Sequence, residues 1–253
     1  MGVGGLDPEA HIDVLPQHRL IYVSVPKCAS TTIKSALSAL ELGVVPPPSK
    51  VHTRRYSGLH SPTQVGLSTF RRLVNSAGTL RFAFVRNPYA RLVSAWADKF
   101  QNKPLVPGDS FVELYLRHRP CIDPALPQGA DHTLSFAQFV AFAVGSANHR
   151  INAHWQAQDD LLNMPGMKLD FVGKVETFDK DFTRVLDHVG ADHRLRQAIH
   201  VFYNASAHGP WPDYYTDALA ANVYRAYERD FDRFGYPRAV ASCGIAGRAA
   251  APA

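Results

Sequence analysis

The sequence predicts an α/β fold built on a parallel sheet, and three strand–loop–helix units predict it. In the first, the apolar run Leu20-Ile21-Tyr22-Val23-Ser24-Val25 has β-type composition and stops at Pro26. A loop of Lys27, Cys28, Ala29 and Ser30 follows. A helical stretch then runs from Thr31 to Leu42, with Ile33, Leu37 and Leu40 on one face and Gly43 as its stop. In the second unit, Arg81 to Val85 is a buried-strand pattern and Arg86-Asn87-Pro88 is the loop. Pro88 suits a first helical turn, and Tyr89, Leu92, Val93, Trp96 and Phe100 form the helical stripe. The third unit runs from Leu169 to Gly173, passes Glu176, and continues as a helix carrying Phe178, Phe182, Val185, Leu186 and Val189. Alternation of this kind gives parallel strands joined by helices that cover the sheet.

Two further helices are expected, Phe136 to Val144 behind a Ser135 N-cap and a run to Phe231 behind Thr216. Val45 to Ser61, with three consecutive prolines, and Asn102 to Ser110 read as irregular loops. Residues 102–133 match no pattern and are expected to shape an acceptor cleft. The Gly- and Pro-containing start and the Ala/Gly-rich end lack periodicity. The reading is therefore a flexible tail over residues 1–17, a single domain over 18–238 and a second flexible tail over 239–253.

The chain has 253 residues, 46% of them apolar and 19% charged, an ordinary mixture for a protein with a sizeable core. Disorder needs the opposite balance. No run approaches the ~18 apolar residues of a membrane-spanning helix. No basic start leads into an apolar run, so a secretory signal is not expected and the location expected is cytoplasmic. Three scattered cysteines argue against a disulfide scaffold and against paired-Cys zinc binding. With 27 Lys+Arg against 22 Asp+Glu the formal charge is +5, which favours anionic partners without choosing among them.

Ligands of an open parallel sheet bind outside the strand C-terminal ends, and two polar loops fall there. In Pro26-Lys27-Cys28-Ala29-Ser30-Thr31-Thr32 a strand turns into a helix N-terminus, whose free N–H groups and dipole favour an anion. Lys27 adds a full charge and Ser30, Thr31 and Thr32 add hydroxyls. The alternative is an ordinary βα loop with a Ser/Thr cap. The loop is not a Walker A sequence, because GxxxxGK[ST] is absent and the lysine precedes the turn. In Phe84-Val85-Arg86-Asn87-Pro88-Tyr89-Ala90-Arg91-Leu92-Val93-Ser94, an Arg fork at a strand end and a hydroxyl two turns into the next helix suit a terminal phosphate. Arg91 reads as a solvated helix charge. The pairs His149/His154 and His188/His193 lack the companions of a zinc site.

PKCASTTIK after a strand resembles the 5′-phosphosulfate loop of sulfotransferases that use 3′-phosphoadenosine 5′-phosphosulfate. FVRNPYARLVSAW resembles their 3′-phosphate motif. Further matches are His154-Trp155 with Gln158, Leu169-Asp170-Phe171-Val172-Gly173-Lys174-Val175-Glu176-Thr177, and the spacing Tyr224, Tyr227, Asp230-Phe231, Phe234-Gly235-Tyr236. The resemblance spans Arg19 to Tyr236 and is to the carbohydrate branch acting on chondroitin, dermatan and HNK-1-type glycans, and to bacterial relatives.

The resemblance implies a P-loop-NTPase-like sulfotransferase fold, a central parallel sheet flanked by helices. It implies transfer of a sulfuryl group from 3′-phosphoadenosine 5′-phosphosulfate to a hydroxyl of a glycan or glycolipid-type acceptor, with adenosine 3′,5′-bisphosphate as product and no metal. Lys27 is expected to stabilise the leaving oxygen, with the loop from Lys27 through Cys28, Ala29, Ser30 and Thr31 to Thr32 around the 5′-phosphate. Arg86 and Ser94 are expected on the 3′-phosphate. The acceptor hydroxyl must lose a proton, and His60 is the expected base, followed by His52 and then His154. Glu176 pairs with Lys174 or holds the acceptor. Cys28 reads as a loop filler, and Asn204 or Ser206 as a contact to the adenosine end. Two other readings stay open, a nucleotide-dependent phosphotransferase and a non-catalytic module that grips polyanions. Nucleic acid is not an expected partner.

Overall fold

A computed structural model describes residues 7–147, 151–192, 196 and 208–240. The chain packs as two compact units that interleave in sequence: residues 1–86 with 160–205, and 87–159 with 206–253. The single domain read from the sequence over 18–238 is thus built from two packing units.

The first unit holds a four-stranded sheet in the order β1 (Ile12–Leu15), β2 (Leu20–Val23), β3 (Leu80–Val85), β4 (Phe171–Lys174). β2 and β3 run parallel, as do β3 and β4, while β1 is an antiparallel edge strand. The α/β reading therefore holds, with one addition. Ile12–Leu15 is a fully buried strand, so this part of the expected N-terminal tail belongs to the sheet. A short helix, α1 (Pro8–His11), precedes it, capped by the Asp7 side chain. Residues 1–6 and 241–253 lie outside the described residues.

Helix α2 (Ser30–Leu42) follows β2 and stops at Gly43, whose φ of 71° suits a residue without Cβ. The expected loop between Val45 and Ser61 contains a single helical turn, α3 (Arg54–Ser57), and a bridge from His60 to Val14. α4 (Leu67–Asn75), unread in the sequence, leads into β3. After β4 a 3₁₀ turn (Val175–Thr177) enters a helix, α9 (Phe178–His188). Phe84 of β3 is fully buried and packs against Phe171, Phe178 and Phe182 at ring distances of 5.2–6.2 Å. Such pairs add about 0.5–1.5 kcal/mol each beyond their buried area. At the far end of β4, Arg81 grips Asp170 through Nε and Nη2, both at 2.6 Å, fixing the register of β3 and β4.

The second unit is helical: α5 (Pro88–Lys99), α6 (Ser110–Ile122), α7 (Phe136–Ala147) and α10 (Asp217–Phe234), with α8 (Gln158–Leu162) at its boundary. Asn87 caps α5, its Oδ1 accepting the Tyr89 N–H at 2.9 Å, with Pro88 in the first turn. Ser135 and Gln138 form a reciprocal capping box at α7, and Thr216 caps α10. α6, which the sequence left unread, starts at an Asp109 cap and carries Pro120 inside it. No helix among the described residues is long and apolar enough to cross a membrane.

Candidate active site

The anion loop is shaped by backbone before side chains. Lys27 and Ala29 both hold positive φ, 67° and 57°, a conformation costly for residues with a Cβ. The turn is closed by the Cys28 N–H donating to the Val25 carbonyl at 3.3 Å. Cys28 is fully buried, so its side chain packs inward, as a filler would. Lys27, Ala29 and Ser30 remain half-exposed around it. α2 begins on Ala29 without a side-chain cap. The first N–H groups of a helix have no intrahelical acceptor, so this end presents donors and positive dipole together.

Register carries two more groups to the same sheet edge. Val23 of β2 pairs with Ala83 of β3, and Val85 of β3 pairs with Lys174 of β4, all parallel. The loop after β2, Arg86 after β3 and Lys174 at the end of β4 therefore leave one edge, the C-terminal one. Lys27, Arg86 and Lys174 are all half-buried there. The Lys174 N–H donates to Asp181 Oδ2 at 2.8 Å, while Glu176 is exposed on the 3₁₀ turn.

The three candidate bases occupy different places. His52 is exposed, and its Nε2 lies 3.0 Å from Thr31 Oγ1 in the first turn of α2. The His60 carbonyl accepts the Val14 N–H at 2.8 Å, and its half-buried ring has an Nδ1 with no hydrogen-bond partner. Val14 pairs with Ile21, four residues before Val25, so the His60 backbone is set back about 13 Å along the strands from the loop. His154 belongs to the second unit, where Asn152 Oδ1 lies 2.7 Å from its Nδ1 and also accepts its backbone N–H. Thus His52 stands at the anion loop and His60 behind it. His149, His193, Asn204 and Ser206 lie outside the described residues.

Ser94 is buried on α5 in the second unit. Arg91, read as a solvated charge, is instead 2% exposed. It donates to the carbonyls of Gln156 at 2.7 Å and Ala153 at 2.6 Å. Asp230, fully buried, accepts N–H groups from Gln158 at 2.9 Å and Asp159 at 2.7 Å, and the Tyr227 hydroxyl donates to the Trp155 carbonyl at 2.5 Å. Burial pushes the Asp230 carboxyl above its usual range, and these donors only partly offset it. The His154-Trp155 segment and the Tyr227/Asp230 spacing are therefore two halves of one buried network. Their pairing has no signal in the sequence, because the halves are more than seventy residues apart.

No group of three or more His, Cys, Asp or Glu among the described residues is arranged to hold a metal ion. The edge instead suits a phosphate: an uncapped helix end, hydroxyls and cations on a sheet without the Walker A glycines. These are the features expected of an anion-binding edge on an α/β sheet. The sequence matches the model of the Sulfotransferase family over residues 10–237, and the chain belongs to that family.

Among curated relatives, carbohydrate sulfotransferase 12 of Mus musculus is 27% identical over 90% of this chain and 60% of its own length. Carbohydrate sulfotransferase 11 of Mus musculus is 27% identical over 89% and 67%. Carbohydrate sulfotransferase 14 of Homo sapiens is 30% identical over 90% and 60%. The chain thus spans about three-fifths to two-thirds of the length of these relatives. No solved structure matches the chain significantly.

Proposed function

We propose that this protein is a sulfotransferase moving a sulfuryl group from 3′-phosphoadenosine 5′-phosphosulfate to a hydroxyl of a carbohydrate acceptor. The loop from Lys27 to Thr32 carries the reading: a positively curled backbone, an uncapped helix start and a lysine at the strand exit. Family membership supports the donor, and the names of the relatives support the acceptor class. The acceptor oxygen attacks sulfur in line as the bond from sulfur to the 5′-phosphate oxygen breaks. Negative charge gathers on that departing oxygen, so catalysis rests on positioning and electrostatic stabilisation, as in phosphoryl transfer.

Lys27 meets the departing charge, while the N–H groups and hydroxyls of residues 30–32 hold the 5′-phosphate. Arg86 and Ser94 are assigned to the 3′-phosphate by their motif. We take His52 as the proton acceptor in place of His60, because its ring already contacts the first turn of α2. A base must come within hydrogen-bond reach of the proton it removes. The cytoplasm remains the proposed place of action.

The test is turnover with labelled donor and a panel of glycans. Lys27→Ala should lower kcat by about 10²-fold or more while weakening bisphosphate affinity far less. His52→Ala should lower kcat by about 10²-fold or more and His60→Ala should leave it near normal. The reverse order for the two histidines would return the base to His60, and a Lys27→Ala enzyme at full speed would refute the assigned chemistry.

A further inference from the structure

We propose that Asp13 and Arg54 are positioning residues that clamp His52 against the anion loop, an inference that rests on the reading of His52 as the base. Asp13 lies in β1 with no solvent exposure. Its Oδ2 is 2.5 Å from Lys34 Nζ on α2, and its Oδ1 is 2.9 Å from Arg54 Nη1. Lys34 stands three residues after Thr31, one turn along the same helix. Arg54 stands two residues after His52. The contacts therefore close a ring: Asp13 to Lys34, along α2 to Thr31, across to His52, and back through Arg54 to Asp13.

Arg54 spends its remaining donors on carbonyls of α1, β1 and its own loop. Nη2 donates to Glu9 at 2.5 Å and Ile12 at 2.9 Å, and Nη1 reaches Leu59 at 3.4 Å. Around it, the segment from Val44 to Thr53 has no regular secondary structure. A side chain on such a segment samples many positions unless something fixes it, and misplacement of a reacting group is costly to rate. A buried ion triad is a poor way to add stability, since apolar residues of like volume hold a fold as well or better. What it does give is direction. Planar guanidinium bonds to a buried carboxylate and three carbonyls anchor the chain two residues from His52, whose ring contacts Thr31.

The test is a double-mutant cycle on Arg54→Ala and His52→Ala, reading kcat at saturating donor and the affinity for adenosine 3′,5′-bisphosphate. Arg54→Ala should lower kcat by about 10-fold or more and change bisphosphate affinity by less than about threefold. The double variant should be no slower than His52→Ala alone, since a clamp has nothing left to position. Losses that multiply in the double variant, or full speed in Arg54→Ala, would overturn the clamp. If Arg54→Ala does not fold, Arg54→Lys keeps the charge without the fork. It should show a smaller loss with the same non-additivity, and full speed there would also overturn the clamp. A His52→Ala enzyme at normal rate with bisphosphate binding intact overturns the clamp and the base assignment but leaves the donor site standing. A wild-type protein that does not bind the bisphosphate overturns the functional reading and the clamp with it.

Discussion

Lys27 and Ala29 hold left-handed backbone on either side of a buried cysteine, and this alternation gives the anion loop its shape. Glycine adopts that conformation without the clash that Cβ brings, which costs roughly 1–2 kcal/mol. Ala29→Gly should therefore raise stability by about 0.5–1 kcal/mol, read as a higher denaturant midpoint at unchanged slope. A lower midpoint would mean that Ala29 does not adopt this backbone in solution. At this scale the sequence is legible where motif and strand end coincide: Lys27 and Arg86 follow β2 and β3 at their C-terminal ends, as the strand–loop–helix pattern implies. It is illegible where a partner is remote. Arg91 sits at an unremarkable helix position and is buried by carbonyls of Ala153 and Gln156. The choice between His52 and His60 likewise depends on the Thr31 contact, which no spacing encodes.

At the scale of elements, the parallel core was readable because its strands are apolar runs ended by Pro26, Arg86 and Lys174. β1 was not. Its four residues include Asp13, whose charge breaks the apolar pattern and is matched only in three dimensions by Lys34 and Arg54. α6 also escaped notice, since Pro120 interrupts a pattern already mixed in charge. Gly173 in β4 shows a constraint finer than pattern. A Cβ there would lie 2.6 Å from the Cε1 and Cζ atoms of Phe84, whose ring is held by Phe171, Phe178 and Phe182. Gly173→Ala should cost about 1–3 kcal/mol by overpacking. Chemical denaturation checks this, and an unchanged midpoint would show that the Phe84 ring can yield.

At the scale of the whole molecule, the functional motifs divide between the two units. The first carries the anion loop, Arg86, Lys174, His52 and His60, and the second carries Ser94 and the His154 network. The family match runs through both, from residue 10 to residue 237. The formal charge of +5 agrees with a doubly phosphorylated nucleotide as ligand and would equally suit a polyanion or ATP.

The central claim is therefore selectivity for the 3′-phosphate. It is tested most directly by calorimetric titration with adenosine 3′,5′-bisphosphate, with ATP and 5′-AMP as controls in the same buffer. The account predicts micromolar binding of the bisphosphate and much weaker binding of both controls. Equal affinity for ATP would contradict it and favour a phosphotransferase or a polyanion-binding role.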